Sequence, residues 1–102
     1  MSCYFVAQIQ INDMDEYQKY LDSTDAVFSK FNGKYLAVDT NPVVIEGSWL
    51  YSRFVIIEFE NEKELREWYE SPEYQSILQY RLKAAKCDTL LVKGLNKNKH
   101  NS

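Results

Sequence analysis

Apolar residues in this chain are spaced by one period, then another, and the order of the switches constrains the fold more than any single residue does. Residues 3 to 11, CYFVAQIQI, alternate: Phe5, Ala7, Ile9 and Ile11 point one way, and Tyr4, Val6, Gln8 and Gln10 the other. Period two marks a strand. Residues 13 to 32 then take the helical period. Tyr17, Leu21, Val27, Phe28 and Phe31 fall on one stripe, Met14, Tyr20 and Thr24 lie beside it, and acids and lysines cover the opposite face. Asp13 is placed to cap this helix, with Glu16 as its capping-box partner. Gly33 is the expected stop, because glycine tolerates the left-handed conformation at a helix end.

Residues 34 to 39 return to strand spacing. The TNP at 40 to 42 breaks it, and 43 to 47 is expected to resume extended structure. RFVIIEF at 53 to 59 is the strongest strand signal, rich in β-branched and aromatic residues. Helical spacing follows with two starts. Asn61 with Glu64 opens one. Ser71 with Pro72 opens the other, with serine at the cap and proline at the first helical position, where its missing N–H costs nothing. This last helix is expected over 72 to 86, with Tyr74, Ile77, Leu78, Arg81, Leu82 and Ala85 facing inward, and a strand over 88 to 94 ends the domain.

The order is β-α-β-β-α-β, an α+β, ferredoxin-like split βαβ arrangement. Right-handed crossovers put the helices on one face of a four-stranded antiparallel sheet of order 4-1-3-2. One domain is expected over 1–95, with a flexible polar tail over 96–102. Cys3 and Cys87 begin antiparallel neighbours and so stand at opposite ends of the sheet. That is far beyond the ~7 Å a disulfide tolerates, and both thiols are expected to be free.

Composition removes several function classes. Leu, Ile, Val and Phe supply 27 of 102 residues, too many for a disordered chain. The single histidine is His100, so the body of the domain offers no histidine-ligated zinc or haem and no Ser-His-Asp or Cys-His unit. No metal site and no cofactor are expected. Twelve basic against fifteen acidic residues leave a net charge of -3 and no basic face, so no nucleic-acid partner is expected. No apolar run is long enough to span a membrane, and the alternating N-terminus does not read as a signal peptide, so the expected location is cytoplasmic.

Helices cover only one face of such a sheet, yet apolar residues point both ways on its central strands. Phe54 and Ile56 oppose Val55, Ile57 and Phe59, and Tyr4 and Val6 oppose Phe5 and Ala7. A monomer would expose a larger apolar patch than soluble chains tolerate. The expected solution is a two-fold homodimer through the open sheet face. The set with Tyr4, Gln8, Gln10 and Glu58 is the more polar and is assigned to the dimer side, the cleaner apolar set to the helices.

The string EWYESPEYQSILQYRLKAA resembles the signature of a bacterial family, domain of unknown function 1330. YFVAQIQI, GKYLAV, VVIEGSW, FVIIEF and LLVKGL agree, so the resemblance covers residues 3 to 95. It implies membership of the dimeric α+β barrel superfamily, whose members include cofactor-free monooxygenases, haem-degrading enzymes, isomerases and stress-response proteins. It implies no particular activity.

Arg81 is the most informative polar residue, because a guanidinium on the apolar stripe of a helix is costly unless paired. Its structural reading is an ion pair or a cap on backbone carbonyls. Its functional reading is a clamp for the anionic group of a small ligand. Glu58, in a central strand, is either a general base in an apolar cavity or a partner of Arg53 or Arg81. Glu46 is a second candidate buried carboxylate. Trp68, Tyr69 and Tyr74 flank the Ser71–Pro72 junction and either wall a pocket or pack the core. The catalytic candidates are Glu58, Arg81 and Tyr74. The ligand-binding candidates are Arg81, Glu58, Tyr69, Tyr74, Trp68 and Gln8. The function expected is a small homodimer that binds a small organic ligand, acidic or aromatic. The alternatives are a non-catalytic interaction dimer and a cofactor-independent monooxygenase or isomerase.

Overall fold

A computed structural model describes residues 1–95. The polar tail expected over 96–102 lies outside the described residues. The elements run β1 (Cys3–Ile11), α1 (Met14–Phe28), β2 (Lys34–Asp39), β3 (Arg53–Phe59), α2 (Glu62–Tyr69), α3 (Pro72–Ala84) and β4 (Ala85–Lys93). The sheet order is β2-β3-β1-β4, which is the expected 4-1-3-2 read from the other edge, and every neighbouring pair is antiparallel.

The caps form where the sequence put them. Asp13 accepts from the Glu16 N–H at 3.2 Å, Asn61 from the Glu64 N–H at 2.9 Å, and Ser71 from the Tyr74 N–H at 3.1 Å. The return half of the capping box differs. The Glu16 carboxylate turns to Lys19, and the Asp13 N–H donates instead to the Ala84 carbonyl at 3.0 Å. The Asn12 N–H shares that acceptor at 2.8 Å. One carbonyl therefore ties the β1–α1 corner to the α3–β4 corner and satisfies two donors that a helix start would otherwise leave open.

Four expectations need correction. First, α1 ends at Phe28 with Ser29 as its cap, and Gly33 is not its left-handed stop, since Gly47 has the only positive φ among the described residues. Gly33 is required by space: a β-carbon there would stand 2.6 Å from the Phe28 ring and 2.7 Å from the Phe59 ring. Second, residues 43–47 form no strand. They belong to an irregular connection with its apolar side chains outside, Val43 and Ile45 being 83% and 87% exposed. Third, α3 stops at Ala84, because Ala85 is already extended and opens β4. Fourth, Leu82 is not an inward residue; it is 56% exposed, and Ala84 is fully buried in its place.

Register sorts the two faces. Phe5 opposes Ile57 and Ala7 opposes Val55, and all four are buried beneath the helices. Tyr4 opposes Glu58 and Val6 opposes Ile56 on the other face, where all four are half-buried. An irregularity between Tyr35 and Ala37 lets both Tyr35 and Val38 pair with inward residues of β3, Ile57 and Val55. Under the helices Trp68 is the hub. Its ring centroid lies 4.4 Å from Tyr74, 5.1 Å from Phe5 and 5.4 Å from Phe59. Both cysteines are free, Cys3 opposing Lys93 and Cys87 opposing Ile9. Among the described residues no helix is long and apolar enough to cross a membrane.

Because Phe59 is packed in the core, the rings around Gly33 have little room to yield. Gly33→Ala should cost ~1–3 kcal/mol as overpacking. The check is chemical denaturation, where the midpoint should fall with an unchanged slope; an unchanged midpoint would show that the rings move freely.

Candidate functional site

The helical period of α1 sends Tyr17, Tyr20, Leu21 and Thr24 toward α3 and the sheet. From α3, Tyr74 and Arg81 stand two turns apart on the inner stripe. From β3, the alternation that buries Val55 and Ile57 also turns Arg53 inward. Tyr17, Tyr20, Arg53 and Arg81 line one cleft between the helices and the sheet, with Tyr35 of β2 at its side. The cleft offers about 40 Å³ of water-accessible space within an empty volume of about 380 Å³ that includes its open mouth.

Polar contacts around the cleft are continuous. The Tyr20 and Tyr74 hydroxyls are 2.6 Å apart, and Arg81 donates to the Tyr74 hydroxyl at 3.4 Å. The Arg81 guanidinium carbon is 5.6 Å from the Tyr20 ring centroid, and that of Arg53 is 5.9 Å from the Tyr17 centroid. These are cation–π distances, and they keep both charges against aromatic faces. Arg81 is 2% exposed. Among the described residues neither Arg53 nor Arg81 has a carboxylate partner, whereas Lys19, Lys63 and Arg66 each have one on the surface. The Nε atoms of Arg53 and Arg81 are both buried without any hydrogen-bond partner.

Around those charges stand phenols and a thiol rather than carboxylates. Burial is the main influence raising the pKa of Tyr17, Tyr20, Tyr74 and Tyr35, the last to about 12, although nearby guanidiniums pull each of them down. The phenols are therefore neutral at physiological pH. For Arg81, burial is the largest influence and opposes its charge, but Tyr74, Tyr20 and Cys87 outweigh it and hold the pKa above the ordinary value. The cleft thus contains two guanidinium charges, neutral phenols and spare N–H donors.

The sequence candidates divide between the two faces. Arg81 and Tyr74 belong to this cluster. Trp68 is packed in the core beside Tyr74. Tyr69 lines a separate groove of about 200 Å³ with Phe5, Leu65, Thr89 and Leu91. Glu58 and Gln8 lie on the far side of the sheet, so they and Arg81 cannot line one pocket within the chain. The cause is strand parity, since Glu58 sits between the inward residues Ile57 and Phe59. Its carboxylate accepts from the Tyr4 hydroxyl at 3.3 Å, not from Arg53 or Arg81. Gln8 lines a groove of about 470 Å³ with Phe54 and residues of the 42–49 connection, and Glu46 there is exposed rather than buried. Sequence reasoning missed Arg53 and Tyr20 as members of the cleft. The signals were present: Arg53 shares the parity of Val55, and Tyr20 follows Tyr17 by three residues on a helix. Among the described residues no three His, Cys, Asp or Glu side chains are grouped to hold a metal ion.

The profile of a family described as a domain of unknown function (DUF1330) matches residues 2–95. A comparison with curated proteins found no match. Among solved structures, the fold is similar to that of a protein of unknown function from Rhodopseudomonas palustris, at 16% identity and a TM-score of 0.76, covering 93% of this chain and 83% of that one. It is similar to a dimeric ferredoxin-like protein of unknown function from Jannaschia sp. CCS1, at 12% identity and a TM-score of 0.78, covering 92% and 100%. It is also similar to SnoaB, a cofactor-independent oxygenase from Streptomyces nogalater, at 13% identity and a TM-score of 0.66, covering 94% and 95%.

The tyrosines give a pH prediction. A phenol whose pKa is higher in the folded chain contributes stability that is complete below the unfolded value of 10.0 and is lost as pH rises through the folded value, about 12 for Tyr35. The melting temperature should therefore show no phenol-linked change up to pH ~10 and fall above it. Phenolate absorbance should titrate in two groups, with the buried phenols last. A single titration centred at the ordinary value would show that the cleft phenols are solvated.

Proposed function

The chain belongs to the family of the domain of unknown function DUF1330, and from its own geometry we propose that it is a homodimer that binds a small organic ligand in the cleft between α1, α3 and the sheet. One observation carries the ligand reading: Arg81, buried to 2% exposure, keeps an unpartnered Nε beside a tyrosine-walled cavity. A buried donor left unmade costs ~1–3 kcal/mol, a cost that an acceptor group of a bound ligand would offset. Of the candidates named from the sequence, Arg81 and Tyr74 are the ones this reading retains at the ligand, with Trp68 and Tyr69 as packing behind them. Glu58 and Gln8 belong to the open sheet face.

The dimer is proposed through that open face. Val6, Ile56 and Phe54 lie there half-buried, Leu90 and Val92 are exposed on β4, and the apolar 43–45 segment stands out beside them. A second copy is the proposed cover, in keeping with the dimeric description of the Jannaschia structure. Two free thiols suit the cytoplasm, the proposed location. Likeness to SnoaB makes cofactor-independent oxygenation the first chemistry to assay. The opposed reading is an interaction dimer in which Arg81 is purely structural. The Arg81–Tyr74 hydrogen bond favours it.

Arg81→Met separates the two readings. Methionine keeps the apolar stem and removes the buried charge, a change that is often neutral or stabilising when the charge was unpaired. The variant should fold with a melting temperature at or above the parent's and lose the ligand-induced rise, which reaches ~2.7 kcal/mol of stabilisation at a hundredfold excess over Kd. A variant that fails to fold supports the structural reading. For the assembly, light scattering should give twice the monomer mass, and Ile56→Lys should halve it. A parent chain that is monomeric at micromolar concentration overturns the dimer.

A further inference from the structure

Granting the ligand-binding reading, we propose that the ligand is a small carboxylate with a flat apolar body, and that Arg53 acts with Arg81 as the second jaw gripping its carboxylate. The two guanidiniums come from different elements, the first residue of β3 and the last turns of α3, yet both line the same cleft. Each is held against a tyrosine ring, and each retains a buried Nε with nothing to donate to. Two like charges bordering so small a space repel one another, and an anion between them reverses the sign of that interaction.

The chain does not lack acids. It has fifteen, and its surface cations use them, yet none among the described residues pairs with Arg53 or Arg81. The position between the two forks is left for an anion from outside. A planar two-oxygen group suits guanidinium forks, which donate through paired N–H bonds. The cleft's water-accessible space of about 40 Å³ exceeds the ~10–15 Å³ that holds one water, so it admits a group of a few atoms. The rest of the lining is mostly apolar and aromatic. Ala7, Val55 and Ile57 form a sheet floor, Tyr17 and Tyr20 stand above it, and Tyr35, 40% exposed, flanks the outer part. An aromatic or unsaturated body fills such a slot with its carboxylate innermost.

Matched acids and amides test this on the full chain. Benzoate, phenylacetate and cinnamate, each against its primary amide, and inorganic phosphate are compared by thermal denaturation and calorimetric titration. At least one acid should raise the melting temperature and bind about tenfold or more tighter than its amide, as expected for hydrogen bonds to a charged group. Arg53→Met and Arg81→Met should each remove about tenfold of that affinity, and Arg53→Lys should recover only part of it, since lysine supplies charge without the fork. Should Arg53→Met not fold, Arg53→Gln and the acid–amide comparison on the parent chain decide the question. Amides binding as tightly as acids would overturn the carboxylate assignment while leaving a ligand cleft in place. Phosphate stabilising as strongly as the best acid would make the site a general oxyanion site and overturn it too. An acid that binds equally well to Arg53→Met would remove the second jaw. Absence of any binding by all six organic probes would overturn both this inference and the reading beneath it.

Discussion

The register of β1 against β3 decides which side chains meet the helices and which meet whatever covers the open face. With Phe5 opposite Ile57 and Ala7 opposite Val55, the apolar set goes under α1, α2 and α3. A slip of β1 by one residue would turn over its faces and send Tyr4 and Gln8 into the core. The same register carries Arg53 inward at the end of β3, because it keeps step with Val55. A cationic residue on the helix side of the sheet thus follows from the alternation that builds the core.

The fold was legible because its signals are local and repeated. Period-two runs, helical stripes and three side-chain caps agree with one another, and the family profile and the similar solved structures agree with the topology they imply. The failures occurred where a local rule met a tertiary requirement. Gly33 looks like a helix stop but is small because the Phe28 and Phe59 rings occupy the space where a side chain would go. Val43, Val44 and Ile45 have strand propensity but no neighbouring strand to pair with. The candidate site was half legible. An arginine on an apolar stripe is visible from spacing alone, as is Tyr74. Arg53 was overlooked as a cleft residue because it was considered only as a partner for Glu58, although strand parity already put the two on opposite faces. Nothing in the spacing could say that Arg81 would lack a carboxylate, since pairing depends on which loops and helices come near.

The cleft concentrates charge in an acidic protein by keeping the acids elsewhere. Glu16, Glu62, Glu67 and Glu70 pair with cations on exposed helix faces, where such pairs contribute little to stability. The phenols solve a different problem. They offer hydroxyls and π-faces to Arg53 and Arg81 without neutralising them, because a phenol is protonated at neutral pH and burial moves its ionisation further up. A carboxylate in the same place would have produced a closed ion pair. Tyrosine leaves the guanidinium charge available and part of its donor set unspent.

The shared acceptor at Ala84 has a mechanical consequence. The Asn12 and Asp13 N–H groups clip the start of α1 to the end of α3 at the corner nearest Arg81. That corner behaves as a clasp, and the Tyr20–Tyr74 hydroxyl contact fastens the same two helices a second time beside the cleft. In α3 these two ties, at Tyr74 and Ala84, lie on either side of Arg81 in sequence, so α1 and α3 border the cleft as one unit rather than as two independent walls.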